Sequence, residues 1–368
     1  MTALKFNWQT MLALAAVIVA LFYLPLTSVA SAPATAAILV LIAAAIAVSV
    51  AHVNDKARVC GMAILVHLAV ILLIATIKGG EGTAGWSFFM TLAACWLLAW
   101  RLVTILSGDG SRRSGNSILS RVAVPSLFGI WILILWEGIT RGAGVPFVLL
   151  PPPSAIGARI LISVPTLAAD FRQTVLKAVL FGFFVGSGAG FLVAILADRF
   201  RFLSNGLLPV GNLVSALPII GIAPVMVIWF GFDWQSKAAV VIVMTFFPIL
   251  VNTIEGLKAS GRMERDLMQT YGAGHWQTLF KLRLPAAMPF VFNALKINST
   301  LALIGALVSE FFGTPIVGMG FRISTEVGRM NLDMVWAEIA LAAIVGSLFY
   351  GAIALLERAV TFWHPSYR

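Results

Sequence analysis

The sequence predicts an all-α protein that crosses a membrane about ten times, and three observations predict it. Of its 368 residues 60% are hydrophobic and 11% are charged, against about 45–50% and about 25% in a soluble domain. The apolar residues are gathered into long runs, at 11–26, 34–50, 59–77, 86–106, 122–139, 173–197, 207–230, 237–255, 290–312 and 335–357. A helix needs about 20 mostly apolar residues to cross the hydrocarbon core. The basic residues also sort by side. With the amino terminus in the cytoplasm, Lys56, Arg58, Arg112, Arg199, Lys258 and Arg265 fall in cytoplasmic gaps between runs, as the positive-inside bias requires.

Several function classes are excluded by the same composition. The net charge of +10 reflects that loop bias and calls for no nucleic acid. Cys60 and Cys95 stand in or beside apolar runs, and His52, His67, His275 and His364 show no ligand spacing. Neither a disulfide framework nor a metal site is expected. No Gly-x-x-x-x-Gly-Lys-Ser/Thr occurs, so this chain is not expected to bind ATP by that route. No catalytic constellation is visible.

Taken in order, the first four runs make an Ala-rich amino-terminal extension, 1–106. Its start has the form of a secretory signal, with Lys5, an apolar core and Ala30-Ser31-Ala32 as a small-residue site. The apolar run to Leu26 and the second span that follows at once favour a retained helix. The polar stretch 107–121, with Gly108, Asp109, Gly110 and Asn116, reads as a cytoplasmic linker and a domain boundary. The remaining six runs, within 122–368, hold the prolines and dense motifs. Leu150-Pro151-Pro152-Pro153-Ser154 is stiff and extended, with Ser154 suited to cap a short helix. Pro218 and Pro224 should kink the run at 207–230 and free carbonyls, which a membrane tolerates only against protein or a water-lined cavity. Ionisable residues in spans are functional candidates by default. Lys177 is placed to attract an anion or to snorkel to the interface, and Glu310 to meet a basic residue at a gate. Gly318 and Gly320 suggest a tightly turned or re-entrant piece. The outer segments 141–170 and 313–334 form the expected docking face for a soluble partner.

One stretch departs from the apolar pattern. Residues 263–289, read MERDLMQTYGAGHWQTLFKLRLPAAMP, are basic and aromatic and lie on the predicted cytoplasmic side. Two helix-competent pieces flank Gly272-Ala273-Gly274, a place where the backbone can turn. Leu284-Pro285 is expected to close the second piece, and Asp266 to cap the first. Tyr271 and Trp276 are candidate anchors for a partner's pocket. The product is a bent helical hairpin within a coupling loop, 256–289.

The spacing here resembles the signature cytoplasmic loop of ABC importer permeases: Glu-Ala-Ala, three residues, Gly, nine residues, Ile, any residue, Leu-Pro. Gly272 is the Gly, Leu282 replaces the Ile, and Leu284-Pro285 supplies Leu-Pro. Asp266-Leu267-Met268 stands where Glu-Ala-Ala would be. The segments LPPPSAI, ALPIIGIAPVMVIWFGF, SKAAVVIVMTFFPILVNTIEGLK and LVSEFFGTPIVGMGF are similar to one branch of that family, serving nitrate, taurine, alkanesulfonates and pyrimidine-type thiamine precursors. The resemblance covers about 122 to the end and leaves the four-span extension unassigned. It implies a six-helix type I importer permease core, paired as a homodimer in a bacterial inner membrane with both termini cytoplasmic. ATPase subunits would dock on the cytoplasmic face through Asp266, Tyr271, Gly272, Gly274, Trp276, Leu284 and Pro285. ATP and Mg would be bound by those subunits, with no cofactor on this chain. An extracytoplasmic binding protein would deliver the solute. Lys177, Pro218, Pro224, Glu310, Gly318 and Gly320 are the pathway or gate candidates. An ATP-independent secondary transporter is the competing reading. It would predict inverted repeats and charged pairs at the midplane, which the sequence does not display.

Overall fold

The structure is a computed structural model. It describes residues 7–51, 53–107, 118–200, 202–203, 206–207, 209–211, 218–313 and 316–363, and the backbone alone at 118–121 and 219. The helices are α1 (Trp8–Phe22), α2 (Ala32–Val50), α3 (Asp55–Ala75), α4 (Trp86–Ser107), α5 (Ile118–Gly142), α6 (Pro153–Ile162), α7 (Val164–Phe171), α8 (Leu180–Arg199), α9 (Ile219–Phe230), α10 (Trp234–Lys258), α11 (Arg262–Thr270), α12 (His275–Thr278), α13 (Leu284–Glu310), α14 (Met319–Gly328) and α15 (Leu332–Val360). No strand occurs among the described residues. A π-helical stretch, Arg172–Val179, joins α7 to α8, and another, Leu279–Arg283, joins α12 to α13. Each joined set is therefore one continuous helix, Val164–Arg199 and His275–Glu310.

Eight helices among the described residues are long and apolar enough to cross a membrane, so the protein is an all-α multi-pass membrane protein. The runs at 11–26 and 207–230, counted as spans from composition, hold α1 of 15 residues and α9 of 12. At 1.5 Å per residue these are about 22 and 18 Å long, short of the roughly 30 Å hydrocarbon core. Pro25 stops α1 by disfavouring helix at Leu24. Residues 208 and 212–217 of the second run, and 108–117 of the linker at 107–121, lie outside the described residues.

The chain forms two compact units, Met1–Gly157 and Ala158–Arg368. In the first, Ser31 accepts from the Ala34 amide and caps α2, with Pro33 in its first turn. Asn54 caps α3. Their apolar faces meet α4 in a core that includes Ile42, Ala45, Met62, Val66, Leu73, Phe88 and Leu98. α5 joins this unit rather than opening the next. Trp131 is part of the same core. A Cβ on Gly138 would lie 2.9 Å from Leu92, and one on Gly142 would lie 3.1 Å from Phe88. The unit boundary thus falls beyond the linker at 107–121, because small residues let α5 seat directly on α4.

In the second unit α10 is the central helix. Gly182, Gly186 and Gly190 line one face of α8, four residues apart. A Cβ there would come within 2.5 Å of Val241, 2.2 Å of Thr245 and 2.4 Å of the Phe246 carbonyl. Such small-residue stripes let helix backbones approach where lipid offers no hydrophobic drive for association. On the other side Gly256 meets Ala287 and Phe290, and Gly305 meets Met244, seating α13. Asn298 links all three helices. Its amide donates to the Ser187 hydroxyl at 3.0 Å and the Thr245 carbonyl at 2.7 Å.

Candidate gate and coupling sites

The helices α8, α10 and α13 share two ends. One end carries Thr174, Lys237 and Glu310, and the other carries Asp198, Leu257 and Arg283. α13 alone is 27 residues long, about 40 Å.

At the first end the chain must start α14 inside the protein, where the orphan amides of its first turn need acceptors. Three side chains supply them. The Gly318 N–H donates to Asp170 Oδ1 at 2.6 Å, the Met319 N–H to Thr174 Oγ1 at 2.9 Å, and the Gly320 N–H to Glu310 Oε2 at 2.7 Å. The Thr174 hydroxyl in turn donates to Glu310 Oε1 at 2.7 Å. Carboxylates are favourable at a helix N-terminus, and bonds to charged acceptors contribute about 1.5–3 kcal/mol each. Gly318 has φ +150°, a conformation L side chains resist, and its missing side chain leaves room for the Glu310 carboxylate 2.9 Å away. Gly320 packs against the Leu307 carbonyl, 2.2 Å from where a Cβ would stand. The expected tight turn at Gly318 and Gly320 is therefore the start of a helix. Arg322, one turn on, donates to Asp170 Oδ2 at 2.9 Å, and that bond holds its guanidinium above the ordinary arginine range.

Glu310 is 2% exposed. A hydroxyl and an amide satisfy its carboxylate directly, and the basic residue that bears on it from α10 is Lys237. Lys237 is buried, and the sequence reading passed over it. It is 1% exposed and donates to the Phe232 carbonyl at 2.6 Å, the Ser236 hydroxyl at 3.2 Å and the Gly313 carbonyl. It therefore ties the loop after α9 to the loop after α13, where cations meet the carbonyl-rich ends of helices. Lys177 lies on the exposed side of the π-helical stretch and donates to Gln173 at 2.8 Å. Gln173 donates to Asp233 at 2.6 Å, and Asp233 caps α10 through the Trp234 amide at 2.8 Å. Pro218 is exposed and stands at the start of α9 rather than kinking a helix; Pro224 lies inside α9, half-buried. In the first unit, Ser154 does not cap α6 itself. Glu137 does so, accepting from the Ser154 amide at 2.9 Å and hydroxyl at 2.6 Å, while Arg141 bonds Glu137 and Glu81.

At the opposite end α11 and α12 form the hairpin. Gly272 has φ +70°, and the amides of Gly272 and Ala273 bond back to Gln269 and Met268 at 2.9 and 3.0 Å, closing α11. Gly274 starts α12, its amide donating to Gln277 at 3.2 Å. Two expectations are corrected. Asp266 sits in the fifth position of α11 and does not cap it; Gly261 is the N-cap and Glu264 the first-turn acid. Leu284-Pro285, half-buried, does not close the second piece. The helix passes through it, and the π-helical Leu279–Arg283 just before Pro285 absorbs the change of register where the proline has no N–H to donate. Two arginines hold the hairpin. Arg265 donates to the carbonyls of Ser260 and Lys258 at 2.6 and 3.0 Å, capping α10. Arg283 makes a two-pronged pair with Asp198 at 2.7 and 2.6 Å and bonds the Leu257 carbonyl at 3.1 Å. Leu279 is buried with Leu257 and Ala287. By contrast α11 buries no residue at all. Tyr271 is 82% and Trp276 57% exposed, beside exposed Met263, Leu267 and Phe280, and Trp276 stacks on Phe280.

No group of three or more His, Cys, Asp or Glu residues placed to hold a metal ion occurs among the described residues. Residues 186–362 match the family model described as binding-protein-dependent transport system inner membrane component. The chain is 31% identical over 239 residues to the formylaminopyrimidine transport permease protein ThiX of Halalkalibacterium halodurans, covering 65% of this chain and 95% of that one. It is 28% identical over 236 residues to the riboflavin transport system permease protein RibX of Chloroflexus aurantiacus, covering 64% and 88%. It is 27% identical over 261 residues to the taurine transport system permease protein TauC of Escherichia coli, covering 67% and 92%.

Proposed function

This chain belongs to the family of binding-protein-dependent transport system inner membrane components, and from that premise we propose that it forms the translocation pathway of an ATP-driven importer for a small solute. Its hairpin 256–289 is the coupling element. The observation that carries this reading is the hairpin: α11 buries no residue, and Met263 and Leu267 on it stand exposed with Tyr271 and Trp276 just after it. Such a group in water is a docking surface. Asp266, Tyr271, Gly272, Gly274 and Trp276 lie on or beside it, and Leu284 and Pro285 join it to α13. The occupant is an ABC ATPase subunit on the cytoplasmic face, which binds ATP and Mg. The pathway forms between two copies of this chain, with both termini cytoplasmic, and a binding protein delivers solute at the end that carries Glu310, Gly318 and Gly320. Closure of the ATPase pair pushes the hairpin, and Arg283 and Arg265 pass the push to α8 and α10. That biases a two-state body between inward and outward access. Lys177, Pro218 and Pro224 are the remaining candidates for the pathway. The relatives' names include a formylaminopyrimidine, riboflavin and taurine; for this chain the cargo is a nitrate-, sulfonate- or taurine-like anion or a related small organic nutrient such as a nitrogen heterocycle.

The test is co-purification. The tagged full-length chain is solubilised gently from its native membrane, associated subunits are identified, and ATP hydrolysis is assayed with the neighbouring binding protein screened against pyrimidines and sulfonates. Tyr271→Ala with Trp276→Ala should release the ATPase without lowering the melting midpoint. An ATPase that stays bound to the double variant removes the hairpin from the interface. Uptake that persists without ATP overturns the importer reading and restores the secondary transporter.

A further inference from the structure

Glu338, near the start of α15, is 0% exposed, and neither of its carboxyl oxygens meets a hydrogen-bond donor among the described residues. An ionised carboxylate in that position would be buried without a hydrogen bond, with only the nearby Arg322 charge to offset it, which is costly. Within its hydrogen-bonding reach lies another carboxyl group, Asp170 on α7. Two carboxyl groups so close in an apolar setting cannot both be ionised. The surroundings decide which one keeps the charge. Asp170 already has two donors, the Gly318 amide and Arg322. Glu338 has no such donor, and a proton placed on it gives it the hydrogen bond it lacks, directed at Asp170.

We infer that Glu338 and Asp170 form a proton-binding site, one proton resident on Glu338 and shared with Asp170, which ties α15 to the carboxylate that caps α14. The charged groups around it are consistent with a single proton. Asp170, Arg322 and Glu310 face Glu338 from α7, α14 and α13. Glu326 bears on Arg322 from its own helix, and Lys237 bears on Glu310 from α10. The pair Arg159 and Asp333, 2.6 Å apart, balances itself at the foot of α15. A metal ion is the less suitable ligand, since the oxygens of Asp170 and Glu310 are already engaged by donors that a cation would have to displace. Loss of the proton sets two negative charges against each other where α14 begins. The attachment of α14 to α7 and α15 therefore weakens when a rise in pH removes the proton from Glu338.

The experiment uses the full-length chain in lipid nanodiscs, with whatever subunits accompany it. The infrared difference spectrum between wild type and Glu338→Gln at neutral pH should show the loss of a protonated-carboxyl carbonyl band that shifts in heavy water. A difference confined to carboxylate bands overturns the inference. Melting midpoints across the alkaline range give an independent reading. The wild type should lose stability as the pH rises, whereas Glu338→Gln, whose amide donates to Asp170 and cannot ionise, should stay flat. The same alkaline loss in Glu338→Gln also overturns it. If that variant fails to accumulate, Asp170→Asn serves, because it removes the second charge. Its alkaline loss should disappear, and persistence of the loss refutes the pair.

Discussion

A lysine in a membrane protein is informative only when its surroundings are known, and Lys177 and Lys237 illustrate it. Both begin apolar runs, and sequence reasoning singled out Lys177. Rotation about the helix decides between them. Lys177 emerges on the exposed side of a π-helical stretch, while Lys237 turns inward onto two loop carbonyls. Composition does not reveal that rotation, because both runs are apolar on every face. Lys237→Met strips donors from the carbonyls of Phe232 and Gly313, and an unsatisfied buried polar group costs about 1–3 kcal/mol. The variant should lose at least ~2 kcal/mol by this count, read as a fall in the melting midpoint in detergent. Lys177→Met, at an exposed position, should stay within about 0.5 kcal/mol of wild type. Glycine positions were more legible, because Gly318-Met319-Gly320 is conspicuous beside a buried acid. Gly320→Ala drives a Cβ into the Leu307 carbonyl and should destabilise by about 1–3 kcal/mol. Gly188→Ala on α8, which meets no atom within 4 Å, is the matched control and should be silent in the same melt.

Among the elements, the two π-helical stretches have the clearest consequence. One lies where Thr174 reaches α14, and the other where Arg283 reaches Asp198; local widening of a helix is common at functional positions. Neither is written in the apolar periodicity, and for that reason the sequence predicted a break at Leu284-Pro285 where a continuous helix runs. The hairpin itself was legible, since Gly272-Ala273-Gly274 lets the backbone turn between two helix-competent pieces. Its attachment was not, because Asp198 lies 85 residues before Arg283 and nothing local pairs them. The pair is mostly buried, its side chains 14% and 11% exposed. Removing one partner of such a pair costs about 3–5 kcal/mol, while removing both costs much less. Arg283→Gln and Asp198→Asn should each lower the melting midpoint strongly, and the double variant should recover part of the loss. Arg283→Lys should fall on the damaged side, because an ammonium cannot reproduce a two-pronged contact. Additive losses in the cycle would show that the two residues act separately.

At the scale of the molecule, the polytopic all-α class and most spans followed from the apolar runs, since a bilayer permits little else. The division of the chain did not follow in the same way. Composition places the boundary at 107–121, where glycines and charges gather, whereas packing groups α5 with α4 and ends the first unit at Gly157. The reason is physical. A polar stretch reports only that a loop is wet, and a single span has no independent core, so it belongs wherever its small residues find a surface. For α5 that surface is α4, met through Gly138, Gly142 and Trp131, with Arg141 bonded to Glu81 at the end of the contact. A cut in the linker separates the two assignments. With a protease site introduced between residues 108 and 117, the nicked chain in mild detergent should keep its amino-terminal piece, because the α4–α5 contact crosses the cut. Gly138→Leu adds a branched side chain where even a Cβ would press on Leu92. With Arg141→Gln it should release that piece after nicking, while leaving the un-nicked chain in the membrane. If the wild-type pieces part as soon as the linker is cut, α5 belongs with the carboxyl-terminal helices and the boundary lies at 107–121 after all.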